Sequence, residues 1–241
     1  DRPDGFGIEP GPGPITFWKC VLEHNHGDGL DSKADTTLVS KTIIANNRTD
    51  GLKLWGKYAK VENTLIYGRG DGDPTPTPWS AVVIDTEHEN AKFDFLHCTI
   101  DDSLGQNYVM WAQYDHPEVP IQVAMTNCII SSRGPRSSVF MAQAVDLQLS
   151  HLLFWMPQLE TLLNYGDQAY SAETITNLGE SIIIGDPDFV RPAWGDSGDY
   201  RLQPESPAID AGMFVDMDNE HLGPGRRFQG SAPDLGAYET P

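Results

Sequence analysis

The chain has 241 residues, 39% of them hydrophobic, and a net charge of −19 from 35 acids against 16 bases. That length supports one large domain with a buried core, and the acidic balance excludes a nucleic-acid partner, whose phosphates need a basic face. No apolar run approaches 18 residues, so no membrane span is predicted.

The chain opens at Asp1 with no initiator Met and no signal-peptide pattern, which reads as a mature or trimmed chain. Its 23 Gly and 18 Pro point to many short elements joined by turns. The first element is DGFGIE, Asp4–Glu9. It returns 24 residues later as DGLDSK, Asp28–Lys33, and 22 residues after that as DGLKLW, Asp50–Trp55. Asn25 precedes the second copy and Asn47 the third, at the same offset. A short apolar run follows each copy: CVL (20–22), KTII (41–44) and NTLI (63–66), then CTI, CII, HLLF and SIII near residues 98, 128, 151 and 181.

Units of 21–35 residues with short β runs and Asn or Gly corners bury no face alone but do so when stacked. The fold predicted is an all-β, right-handed parallel β-helix of about seven to eight coils over residues 1–185. Asn25 and Asn47 then form an asparagine ladder at one corner. The position before each apolar pair stacks inside as Cys, Asn and Cys. The segment GRGDGDPTPTPW (68–79) reads as a side loop and YDHPEVP (114–120) as another excursion. Helical spacing is confined to FWMPQLETLLNY (154–165).

Cys20, Cys98 and Cys128 lack metal-ligand spacing and read as buried free thiols, with a Cys98–Cys128 bridge as the alternative. DMDNE (216–220) starts like a calcium loop, but His221 stands where that loop needs Gly. Asn47-Arg48-Thr49 is a glycosylation sequon.

Residues 186–241 are dense in turn residues and read as a capping segment of the same domain that covers the last coil and its open edge. Their SPAIDAG (206–212) and PDLGAYE (233–239) resemble the C-terminal segment of many secreted bacterial right-handed β-helix proteins. That resemblance implies secretion to the cell exterior or surface.

Stacking brings Asp4, Asp28 and Asp50 about 4.8 Å apart in a column, where neighbouring carboxylates repel by roughly 1–4 kcal/mol. Two explanations are open. Asp-Gly is a common turn dipeptide, with Asp bonding its local backbone and Gly supplying positive φ. Alternatively a cation neutralises the column. Alternation turns Phe6, Leu30 and Leu52 inward and leaves Glu9, Asp31, Lys33, Lys53 and Trp55 outward. Asp28 and Asp31, three apart, can aim at one ion, approached by Asp4 and Asp50 from adjacent coils; calcium takes six to eight such oxygens.

The runs DGF, GDGLDSK and DGLK over residues 1–56 are similar to the central coils of family 9 pectate lyases and related β-helix lyases. Those enzymes bind calcium through aspartates on neighbouring coils and use a lysine base. The resemblance implies calcium at Asp28 and Asp31, with Asp4 as an upstream ligand. It makes Lys53 the candidate base and Lys33 the second candidate, while Gly27-Asp28 stands where the family has paired aspartates. Trp55 is placed to stack on a sugar ring and Glu9 to contact substrate. The expected partner is an acidic or neutral polysaccharide cleaved by β-elimination. The alternative is a non-catalytic adhesin, glycan-binding module or assembly subunit, self-associating through an N-terminal coil that enters the repeat with no cap helix.

Overall fold

A computed structural model describes residues 3–69, 80–102, 108–135, 138–193, 197–215 and 228–240. It is all-β with almost no helix. Its parallel strands form a strongly curled sheet, compatible with a β-helix.

Three stacks of parallel strands run through the chain, each joining residues one repeat apart. The first orders β1 (Phe6–Gly11), β4 (Leu30–Ala34), β7 (Leu52–Leu54), β10 (Val82–Ile84), β13 (Tyr108–Ala112), β15 (Ser138–Met141) and β17 (Leu163–Tyr165). The antiparallel β18 (Gln168–Tyr170) ends it. The second joins β2 (Ile15–Trp18), β5 (Thr36–Ser40), β8 (Tyr58–Glu62) and β11 (Ala91–Leu96). The third joins β3 (Val21–Glu23), β6 (Ile43–Asn47), β9 (Leu65–Arg69) and β12 (Thr99–Asp102). The second and third stacks merge in β14 (Ile121–Ser132) and β16 (Val145–Trp155), whose halves pair with both, and end at β19 (Gly179–Ile184). We call each set of equivalent strands a level.

The repeat sets the register. Leu30, Asp31 and Ser32 pair with Leu52, Lys53 and Leu54, while Phe6, Gly7 and Ile8 pair with Leu30, Asp31 and Ser32. Inward positions form apolar columns, one of them Leu22, Ile44, Ile66, Ile100, Ile130 and Phe154, all buried. Burial of such columns drives the stacking, because one strand alone exposes its inner face.

One corner between the second and third stacks bends through a left-handed residue at every level, from Lys19 (φ 54°) and Lys41 (φ 52°) to His151 (φ 53°) and Ser181 (φ 53°). Asn63 belongs to this corner (φ 46°). The stack beside it therefore contains buried Thr42 and Thr64 between Cys20, which is only half-buried, and buried Cys98, not Asn63. The thiols are free, and the Cys98 N–H donates to Cys128 Sγ at 3.4 Å. No bridge joins them.

The helical expectation over 154–165 is corrected. β16 runs through Trp155, turns follow, and β17 begins at Leu163. Pro157 cannot continue a helical hydrogen-bond ladder, and Phe154 is committed to the inward column. Among the described residues the 3-10 turn Ile175–Asn177 is the helical element.

The C-terminal segment lies along the outward side of the third stack. β20 (Phe189–Arg191) and β21 (Asp199–Leu202) pair antiparallel. Phe189, Tyr200 and Leu202 bury against Ala45, Leu65, Ile129 and Leu153. The SPAIDAG and PDLGAYE motifs lock each other: Asp210 N–H donates to Asp234 Oδ1 at 2.8 Å, and Leu235 N–H to the Ala208 carbonyl at 2.9 Å. Ala237 N–H then donates to Thr99 Oγ1 at 3.0 Å. These motifs fasten the segment to the stack.

Candidate functional site

The asparagine ladder forms. Asn25 donates from its backbone and from Nδ2 to Asn47 Oδ1 at 3.1 and 2.8 Å, and Asn47 Nδ2 donates to the Leu22 carbonyl at 3.0 Å. Asn47 is buried, so the sequon's amide is unavailable to a glycan. A Cβ on Gly5 would lie 2.6 Å from Asn25 Nδ2, and one on Gly29 2.5 Å from Asn47 Nδ2. Those glycines make room for the ladder, and neither has positive φ.

The aspartate column has a related job. Asp4 Oδ1 accepts from Asp28 N–H at 2.8 Å, Asp28 Oδ1 from Asp50 N–H at 2.9 Å, and Asp50 Oδ1 from Ser80 N–H at 2.7 Å. Each carboxylate thus binds the next level, and Asp28 Oδ1 also accepts from the Thr49 hydroxyl. The turn explanation is corrected in kind: the aspartate caps the neighbouring level's backbone, not its own turn. The column closes where Ser80-Ala81 replaces Asp-Gly.

Only Oδ1 is used this way, and the second oxygens face outward chemistry. Lys53 Nζ lies 3.5 Å from Asp28 Oδ2 and 3.4 Å from Asp50 Oδ2. Asp31 accepts from Trp55 Nε1 on Oδ1 at 2.8 Å and from Lys33 Nζ on Oδ2 at 3.0 Å. Lys53 Nζ also sits 5.3 Å from the Trp55 ring centre, within cation–π range. Ligand atoms of Asp4, Asp28 and Asp31 all fall within 4.8 Å of one another. Opposite oxygens around a calcium ion stand about 4.6–5.2 Å apart, so the group has the right size for one.

Asp50 faces Lys53 within their own level, three residues before it, and is not part of that trio. Glu9 stays outside it too. The register of β1 against β4 shifts between Ile8 and Gly11, so a bulge carries Glu9 out of the column that Lys33 and Trp55 share.

Electrostatics follow burial. Desolvation, with Asp28 adding repulsion, pushes Asp50 up to about 7 despite Lys53. Burial, with repulsion from Asp28 and Asp31, also raises Asp4 although the Asp28 N–H opposes it. Burial pulls Lys53 down, but Asp50, Asp28 and Asp31 together outweigh it and hold its ammonium above the usual range. With no cation present Lys53 is therefore a proton-bearing bridge between levels.

Several groups to which sequence reading assigned no role lie on the same side. Outward from the buried pairs Leu52/Leu54 and Val82/Ile84, Lys53 is in register with Val83, then Trp111, Phe140 and Asn164. Insertions between repeats hid that alignment in the sequence. In the excursion 114–120, His116 Nδ1 lies 2.8 Å from Oδ1 of the fully buried Asp85. His26 Nε2 meets Arg48 Nη1 at 2.8 Å at the asparagine corner. Segment 68–79 is described only through residue 69, and DMDNE lies outside the described residues. No helix among the described residues is long and apolar enough to cross a membrane. No family model, curated protein or solved structure matches the chain.

Proposed function

We propose that the chain is a right-handed parallel β-helix, secreted to the cell exterior or surface, that binds calcium and cleaves an acidic polysaccharide as a pectate-type lyase. The handedness follows the strong preference of parallel crossovers. The first stack's eight strands less the antiparallel β18 leave seven parallel levels, hence about seven coils. The observation that carries the function is the convergence of Asp4, Asp28 and Asp31 beside Lys53 and Trp55 on one outward face.

Asp4, Asp28 and Asp31 would hold the ion. A calcium ion held there would supply positive charge next to a uronate carboxylate and so would acidify the neighbouring C5 proton. Lys53 Nζ takes that proton when it has lost its own. The C5–H electrons become the new C4–C5 double bond, the C4–O bond breaks, and the departing oxygen is protonated from solvent. Neutralising Asp28 and Asp31 removes two of the charges that hold Lys53 protonated, so ligand occupancy and base activation are linked. Lys33, tied to Asp31, is the second candidate base, and Trp55 offers a ring face to a sugar. At −19 the chain repels a polyuronate, so binding requires calcium between them.

The test is incubation with polygalacturonate and calcium while following ultraviolet absorbance of unsaturated product. Product that disappears with chelator or with Lys53→Met supports the reading. Silence across several uronate polymers, with and without calcium, overturns it.

A second reading, a non-catalytic adhesin, glycan-binding module or assembly subunit, is favoured by the first level. Phe6, Trp18 and Val21 there are 49%, 51% and 56% exposed, and β1, β2 and β3 are sheet ends. Sheet edges that carry exposed apolar side chains recruit further strands. Light scattering across a concentration series separates this from a strict monomer.

A further inference from the structure

The outward column that begins at Gly7, Asp31 and Lys53 continues through Val83 to Trp111 and Phe140. Trp111 is two levels beyond Lys53, about 10 Å along the stack. Tyr114 stands against both rings, 5.8 Å from Trp111 at 62° and 5.5 Å from Phe140 at 66°. Tyr108 packs on the other side of Phe140 at 5.4 Å. The result is a notch in which Trp111 and Phe140 form a floor and Tyr114, 56% exposed, a wall.

We infer that this notch is a subsite for a pyranose ring of the acidic polysaccharide whose uronate is held at Lys53. The inference rests on the proposed calcium and polyuronate site and extends it along the same face. Three observations carry it.

The four described side chains that form the notch, Tyr108, Trp111, Tyr114 and Phe140, are uncharged aromatics, and aromatic rings are surfaces to which the C–H side of a sugar ring adheres. Tyr and Trp are rigid amphipathic surfaces that bind at low entropic cost. The notch is in register with Asp31 and Lys53 across the fully buried Val83, so a chain that runs along the stack over Val83 meets both.

The wall is also built in advance. Gln113, fully buried, donates from Nε2 to the carbonyls of Thr86, His116 and Val119 and accepts from Thr86 N–H at 2.8 Å. Asp85 accepts from Asp115 N–H at 3.1 Å and holds His116. Tyr114 sits between these two anchors, so its loop loses little freedom when a ligand arrives. By contrast Tyr67 is buried beneath Tyr200 of the C-terminal segment, which in turn packs on Phe189.

Titration calorimetry with digalacturonate and with long oligogalacturonides in calcium, on wild type, Trp111→Ala and Tyr114→Ala, tests this. Tyr114 is exposed enough that its variant keeps the fold. The expected result is a 5- to 10-fold loss of affinity for long chains in each variant, about one stacking contact, with digalacturonate unaffected. Equal affinities in all three proteins, no binding of any oligomer, or ring-dependent binding confined to neutral xylo- or gluco-oligosaccharides overturns it. So does a wild-type dimer that Tyr114→Ala dissociates, since a second copy then fills the notch. The two readings fail separately. Ring-dependent binding without unsaturated product removes the lyase but keeps the subsite. Wild-type kcat/KM on long chains in both variants keeps the lyase and removes the subsite.

Discussion

The outward sides of the first and third stacks use similar residues to opposite ends. On the third, Asp101 is buried and accepts from Ser131 Oγ at 2.6 Å, from the Tyr200 hydroxyl at 2.6 Å and from Arg133 at 2.9 Å. Tyr200 lies between Tyr67 and Phe189. On the first, Asp31 holds Lys33 and Trp55 while partly exposed, and Trp111 and Tyr114 face outward. An aspartate with an aromatic neighbour is thus not a site in itself. What separates the two sides, among the described residues, is the C-terminal segment, which packs on the third stack and not on the Asp31 and Trp111 side.

The largest effect should come from uncovering the closed side. Tyr200→Ala removes a buried ring and leaves Asp101 short of a donor, and should cost about 4–5 kcal/mol. Urea unfolding measures it, and limited proteolysis should show the segment beyond residue 186 released first. Next is the ladder beneath the open side. Asn47→Ala strands the Asn25 donors and the Leu22 carbonyl, for about 2–4 kcal/mol, although the residue lies in a sequence that reads as a surface sequon.

The pH dependence sharpens the comparison. Asp50 is fully buried and its carboxyl is raised from 3.8 to about 7 in the folded chain. A raised acid binds its proton more tightly folded than unfolded, so its stabilising contribution is complete below pH 4 and is lost as pH rises through about 7. Wild type should therefore lose about 2–4 kcal/mol relative to Asp50→Asn between pH 4 and pH 8. Denaturant midpoints for the pair at each pH measure it, and parallel curves would contradict it. Asp31 is not in the backbone-binding column and Asn keeps an acceptor for Trp55 Nε1, so Asp31→Asn should change stability by only about 1 kcal/mol, from the lost Lys33 pair, while its effect on ion binding is large.

Much of this was legible in the sequence, because one offset aligned Leu30 with Leu52 and Asn25 with Asn47, and stacked strands preserve that alignment. The all-β class and the inward Leu and Ile columns followed from it. Three things did not. The left-handed corner is occupied by Lys, Asn, His and Ser, residues without a shared pattern. The glycines after Asp4 and Asp28 answer to a side chain one level away, which no local turn rule contains. Trp111 and Phe140 fall in line with Lys53 only after insertions of unequal length are removed by pairing. At the site, the outward set of Asp31, Lys53 and Trp55 was readable from alternation. The bulge that displaces Glu9 and the bridge that Lys53 makes between Asp28 and Asp50 depend on the folded backbone.

Calcium titration by calorimetry on wild type and Asp31→Asn tests the account most directly. One ion per wild-type chain, with affinity reduced about 10- to 100-fold in the variant, is the predicted result. Wild type that takes up no calcium, or a variant that binds it as tightly, would contradict a metal at Asp4, Asp28 and Asp31.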